Sequence, residues 1–63
     1  MNSIEFGLAI KEARTRAKLT QREVAALCQV SVPFISDLEN GKATSQLGKS
    51  LHVAKELGLR LRT

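Results

Sequence analysis

The sequence predicts an all-α domain: a compact four-helix arrangement followed by a short strand at the C-terminus. Three observations predict it. Apolar residues recur at three- and four-residue spacing along most of the chain. A helix-opening signature at Thr20 and Glu23 and two well-placed terminators, Gly41 and Gly58, divide that pattern into short segments. The final LGLRLRT then changes to alternation of Leu with Arg, the period of a strand. At 63 residues the chain is one domain, 1–63, near the lower size limit for a single unaided core, so oligomerisation would help.

The first helix is expected over about 3–17, capped by Asn2 or Ser3, with Phe6, Ile10, Ala13 and Ala17 as its inward stripe. Thr20 and Glu23 form a capping box that opens the second helix, which carries Val24, Ala25 and Cys28 inward and stops near Cys28. Ser31 caps the third. Pro33 is tolerated in its first turn because the missing N–H has no helical partner there, and Gly41 ends it in a left-handed conformation. Thr44 is expected to cap a fourth helix running to about Leu57, with Leu47, Leu51, Ala54 and Leu57 buried, Gly48 slightly weakening it and Gly58 closing it. In residues 58–63, Leu59, Arg60, Leu61 and Arg62 alternate as a strand too short to stand alone. Its natural mate is the same segment of a second copy across a two-fold axis, and the alternative is a frayed tail.

Composition narrows the function. Hydrophobic residues make up 43% and charged residues 25%, which is globular, and no apolar run is long enough to cross a membrane. MNSIEFG lacks the features of a secretory signal, so a cytoplasmic protein is expected. A lone cysteine, Cys28, and a lone histidine, His52, provide neither an internal disulfide nor a metal site, and no cofactor is expected. The net charge is +4, and Lys11, Arg14, Arg16, Lys18 and Arg22 cluster around a single acid, Glu12. Such a cluster suits a phosphate backbone or another acidic partner; a merely solvated basic face is the other reading. Nothing supports catalysis: Cys28 has no nearby histidine in sequence, and Asp37 and Glu39 read as surface and ion-pair residues rather than an acid–base pair.

Two short helices joined by about four residues, the second polar on its outer side, form the helix-turn-helix that seats one helix in the DNA major groove. The unit spans 20–40. Its residues LTQREVAALCQVSVPFISDLENGK resemble the lambda-repressor-like, Cro-type (XRE) helix-turn-helix family, matching at Thr20, Gln21, Glu23, Val24, Ala25, Val30, Ser31, Ile35, Ser36, Leu38, Glu39, Asn40 and Gly41. The likeness extends through LHVAKELGL, covering nearly the whole chain. Ala25 is small where the two helices cross closely, and Val24, Val30, Ile35 and Leu38 fill the wedge between them.

With Ile35 and Leu38 committed to the core, Val32, Pro33, Ser36 and Asp37 lie about 100° or more off that stripe and face outward. The resemblance implies that this side enters the major groove, making Val32, Pro33, Ser36 and Asp37 base-contact candidates with Phe34 beside them. Phe34 also sits four residues before Leu38, which offers it a core position; the outward one is expected. Apolar groups suit thymine methyls, a serine hydroxyl suits several bases, and Asp37 suits a cytosine amino group. The resemblance further implies phosphate contacts from Gln21, aided by the free amides at its helix end, and from Asn40, Lys42 and Thr44, with Arg22 and Lys18 as additional charges. It places an internal ion pair at Arg14 and Glu39, which would fix the recognition helix rather than read DNA.

Two departures stand out. Gln29 replaces the glycine the family prefers in the turn, so a side-chain-bearing residue is expected at positive φ there, at a cost of about 1 kcal/mol. The base-facing set holds no Arg, Asn or Gln and includes an acid, which points to modest intrinsic specificity or to reading of DNA shape.

The expected function is a dimeric, sequence-specific transcriptional repressor on a palindromic operator of double-stranded DNA. A compact domain ending in ELGLRLRT is also similar to HipB-type antitoxin repressors, which implies a HipA-type kinase toxin as protein partner and repression of the operon encoding both. A phage repressor, or a restriction-modification controller protein, with no toxin partner is the alternative. Leu27, an exposed apolar residue where the family is usually polar, reads either as part of a partner surface or as an ordinary surface leucine.

Overall fold

The computed structural model describes residues 2–42 and 46–59. It contains four helices, α1 (Ser3–Arg16), α2 (Gln21–Cys28), α3 (Val32–Glu39) and α4 (Leu47–Glu56), and no strand among the described residues. The first three begin on side-chain caps. Asn2 accepts from the Glu5 N–H at 2.8 Å while its own N–H donates to the Glu5 carboxylate at 3.3 Å, and Thr20 with Glu23 repeats the exchange at 3.0 and 2.8 Å. Ser31 Oγ accepts from the Phe34 N–H at 3.1 Å. Each cap satisfies amides that have no helical partner, which stabilises an eight-residue helix such as α2 or α3 by about 1 kcal/mol.

All four helices end in the same way. Lys18, Gln29, Gly41 and Gly58 adopt φ of 60°, 58°, 79° and 77°. Beyond each, the next residue's N–H reaches back to a carbonyl five residues earlier: Leu19 to Arg14 at 3.1 Å, Val30 to Ala25 at 2.9 Å, Lys42 to Asp37 at 3.0 Å and Leu59 to Ala54 at 2.9 Å. These are Schellman closures, in which a left-handed residue turns the chain so that orphan carbonyls are satisfied. The apolar residue that follows completes the motif in three cases, since Leu19, Val30 and Leu59 pack against the core.

The last closure places the first two residues of the expected strand over 58–63: Gly58 and Leu59 belong to the turn that ends α4, and Leu59 packs against the core. Arg60, Leu61 and Arg62 lie outside the described residues, as does Thr44.

The core is Ile10, Val24, Ala25, Cys28, Ile35, Leu38, Val53 and Ala54, and α3 packs against both α1 and α2 while α4 packs on α2. Ala13 is also buried, whereas Ala17, expected on the same stripe, is exposed because the chain leaves α1 there. At Gly7 the backbone of α1 lies close against that of α3. A Cβ at this position would overlap the Leu38 carbonyl oxygen and sit 2.9 Å from that of Glu39.

The buried stripe of α4 differs from the expected one. Ser50, Val53 and Ala54 are buried and Leu57 is half-buried, but Leu47 and Leu51 are 63% and 43% exposed. The helix also starts at Leu47, with Gln46 in the cap position, later than a Thr44 cap would require. The stripe 50, 53, 54, 57 satisfies helical spacing as well as 47, 51, 54, 57 does, and the smaller Ser50 fits the closely packed side. The Ser50 hydroxyl is satisfied locally, donating to the Gln46 carbonyl at 3.3 Å.

Candidate nucleic-acid interface

The turn between α2 and α3 sets the relation of the two helices. Gln29 takes the left-handed conformation expected of it, with φ 58° and ψ 43°, and Val30 tucks inward after it. Ile35 at 0% exposure and Leu38 at 4% then anchor the inner side of α3.

On the opposite side, Val32, Pro33 and Asp37 are exposed and Ser36 is half-buried. Phe34, expected to face outward, is half-buried and packs against the core cluster. Its position one turn before Leu38 carries it inward, where an aromatic ring gains more from apolar contact than from water.

Asp37 does not stand alone as an acid. Lys42 Nζ lies 3.2 Å from its Oδ1, and the Lys42 N–H donates to the Asp37 carbonyl at the helix end. The pair is well exposed, so it offsets charge without holding the fold together. It also brings together a residue expected at bases and one expected at phosphates.

Arg14 and Glu39 meet behind α3. Arg14 Nε and Nη2 donate to Glu39 Oε2 and Oε1 at 2.6 and 3.0 Å, and Arg14 Nη1 donates to the Leu19 carbonyl at 2.8 Å. Glu39 takes a further hydrogen bond from Gln21 Nε2 at 3.1 Å. The hydrogen bonding that Arg14 donates to Glu39 holds the guanidinium pKa above its already high value, against the opposing effect of burial. Every buried side-chain polar atom among the described residues has a partner. The Gln21 contact was not legible in the sequence, since the spacing between residues 21 and 39 carries no motif.

Of the other residues expected at phosphates, Arg22, Asn40 and Lys42 are exposed. Lys11, Arg16 and Lys18 are exposed too, while Arg14 is consumed by the internal pair. The basic cluster is thus divided between structure and surface. Cys28 is buried, and its thiol pKa is raised by desolvation and, secondarily, by the charge of Glu56. His52 is half exposed, 3.9 Å from Glu56 across one helical turn. Among the described residues no cluster of three His, Cys, Asp or Glu side chains is placed to hold a metal, and no helix is long and apolar enough to cross a membrane.

A helix-turn-helix family model matches residues 10–63. The chain is also 41% identical over 54 residues to an uncharacterized HTH-type transcriptional regulator, y4mF, of Sinorhizobium fredii, an alignment covering 86% of this chain and 71% of that protein. The chain belongs to the XRE-type helix-turn-helix family, a family of DNA-binding transcriptional regulators.

Proposed function

We propose that the chain is a transcriptional repressor that binds a palindromic operator as a homodimer, with α3 of each copy in one of two adjacent major grooves. The observation that carries this reading is the division of α3 into a side anchored by Ile35 and Leu38 and an outer side where Val32, Pro33 and Asp37 are exposed and Ser36 is half-buried. Val32 and Pro33 would meet thymine methyls, Ser36 would hydrogen-bond a base edge, and Asp37 would accept from an amino group of cytosine. Gln21, Arg22, Asn40 and Lys42, with Lys18, would contact phosphates, as would Thr44 in the sequence reading. Two copies are needed on physical grounds. An eight-residue helix is about 12 Å long and spans only three or four base pairs, too few to specify a genomic site.

The test is binding of the purified chain to its own upstream DNA, with wild type compared to Ser36→Ala and Gln21→Ala. The reading expects Ser36→Ala to lose discrimination between sites and Gln21→Ala to lose affinity on every sequence. Equal binding to a two-fold symmetric site and a scrambled one would oppose it.

The antitoxin role and its HipA-type kinase partner rest on the resemblance of the C-terminal ELGLRLRT. A kinase-like reading frame beside the gene, whose product co-purifies with this chain, is the expected result; a methyltransferase or phage gene there would favour a controller protein or phage repressor instead.

A further inference from the structure

The Glu39 carboxylate, 3% exposed, accepts three hydrogen bonds from three N–H groups: two from Arg14, at 2.6 and 3.0 Å, and one from Gln21 at 3.1 Å. Arg14 alone would satisfy the charge of the pair, because its guanidinium meets both carboxylate oxygens. The third bond does something different. Gln21 is the first residue of α2, at the edge of the proposed DNA interface, and its side chain is half-buried.

A carboxylate only accepts hydrogen bonds, so the Gln21 amide must turn its nitrogen toward Glu39 and its oxygen away. One hydrogen of that nitrogen is then taken and the other is left to donate. A free glutamine at a helix start would sample many rotamers and both senses of its amide, and in one sense it would point an oxygen at a phosphate. We infer that Glu39 is a positioning residue for DNA binding, holding the Gln21 amide so that its second N–H meets a phosphate oxygen. Arg14 makes this possible by cancelling a negative charge that would otherwise oppose the phosphate. The network ties the end of α3, the start of α2 and the last turn of α1 to one carboxylate, so the clamp and the recognition helix are set by the same group. This rests on the DNA-binding reading above.

The test is a cycle of variants titrated with a mixed-sequence DNA duplex at low salt, since a phosphate contact is independent of sequence. Gln21→Ala is made in wild type and in Arg14→Met/Glu39→Leu, where an apolar pair replaces the ionic one. We expect Gln21→Ala to weaken binding about tenfold in wild type and less than about twofold in the altered background. An equal loss in both backgrounds, or no loss in wild type, overturns the positioning role. A wild-type chain that shows no salt-dependent DNA binding overturns the parent reading instead. If the apolar pair does not fold, exchange of the Gln21 side-chain amide in free wild type decides. Slower exchange with water than for the exposed Gln29 amide is expected, and exchange as fast as that of Gln29 overturns the inference.

Discussion

Arg14 and Glu39 are joined at two points, Nε to Oε2 at 2.6 Å and Nη2 to Oε1 at 3.0 Å, linking the last turn of α1 to the last residue of α3. Removing either partner leaves the other charge unpaired in a largely desolvated position. Arg14→Ala or Glu39→Ala should each cost about 3–5 kcal/mol, enough to unfold much of a domain this small, while Arg14→Met/Glu39→Leu should cost far less. Urea denaturation of the three variants checks this. Because the Arg14 pKa is raised, the contribution of its charge is present throughout the neutral and mildly alkaline range and is lost only as pH climbs through that raised value, so the Arg14 charge should not titrate between pH 7 and 10.

Lys18 and Gln29 occupy left-handed positions that glycine fills without strain. Replacing either with Gly should stabilise the fold by about 0.5–1 kcal/mol, read as a higher melting temperature. Lys18→Gly should at the same time weaken DNA binding and reduce the slope of log affinity against log salt by about one. A gain in stability paired with a loss of binding separates a phosphate contact from a merely solvated charge.

Much of this was readable from the chain. Thr20 with Glu23, Ser31 with Pro33, and Gly41 are local signals whose chemistry acts within one helical turn, and they marked the true boundaries. Gln29 was readable through the family resemblance, since it stands where the family prefers glycine in the turn. Lys18 was not, as nothing in KLT advertises positive φ; the Schellman closure shows itself only through Leu19, the apolar residue that follows. Choices between overlapping patterns were also closed to sequence. Leu47 and Leu51 compete with Ser50 and Val53 for the inner side of α4, and packing against α2 decides for the smaller pair. Phe34 was ambiguous for the same reason, since its spacing from Leu38 permits the core. Within the interface, the bonds from Gln21 to Glu39 and from Lys42 to Asp37 depend on side-chain placement that no periodicity encodes.

Gly7 and Gly48 should respond to alanine with opposite signs. At Gly7 a methyl group would meet the backbone of α3, so Gly7→Ala should destabilise by about 1–3 kcal/mol through forced separation of α1 from α3. At Gly48 no atom lies within 4 Å of an added Cβ, and Gly48→Ala should stabilise α4 by about 0.5–1 kcal/mol. Parallel denaturant titrations give both values.

Cys28 should behave as a buried thiol. Desolvation raises its pKa above the ordinary 9.0, so the unfolded thiol ionises first as pH rises. Its stabilising contribution is complete below about pH 9 and is lost toward the raised folded value. Wild type should therefore lose stability more steeply than Cys28→Ala above about pH 9, and a thiol reagent at neutral pH should label Cys28 only as fast as the chain opens.

Whether the outer side of α3 reads duplex DNA is tested most directly by following backbone amide signals during titration with the upstream duplex. Val32, Ser36 and Asp37 should shift strongly, along with Gln21 at the start of α2, while the amides of Val53 and Ala54 in the core of α4 remain nearly still. Binding that leaves the amides of 31–37 unchanged in a folded chain would contradict the assignment of α3 as the recognition helix.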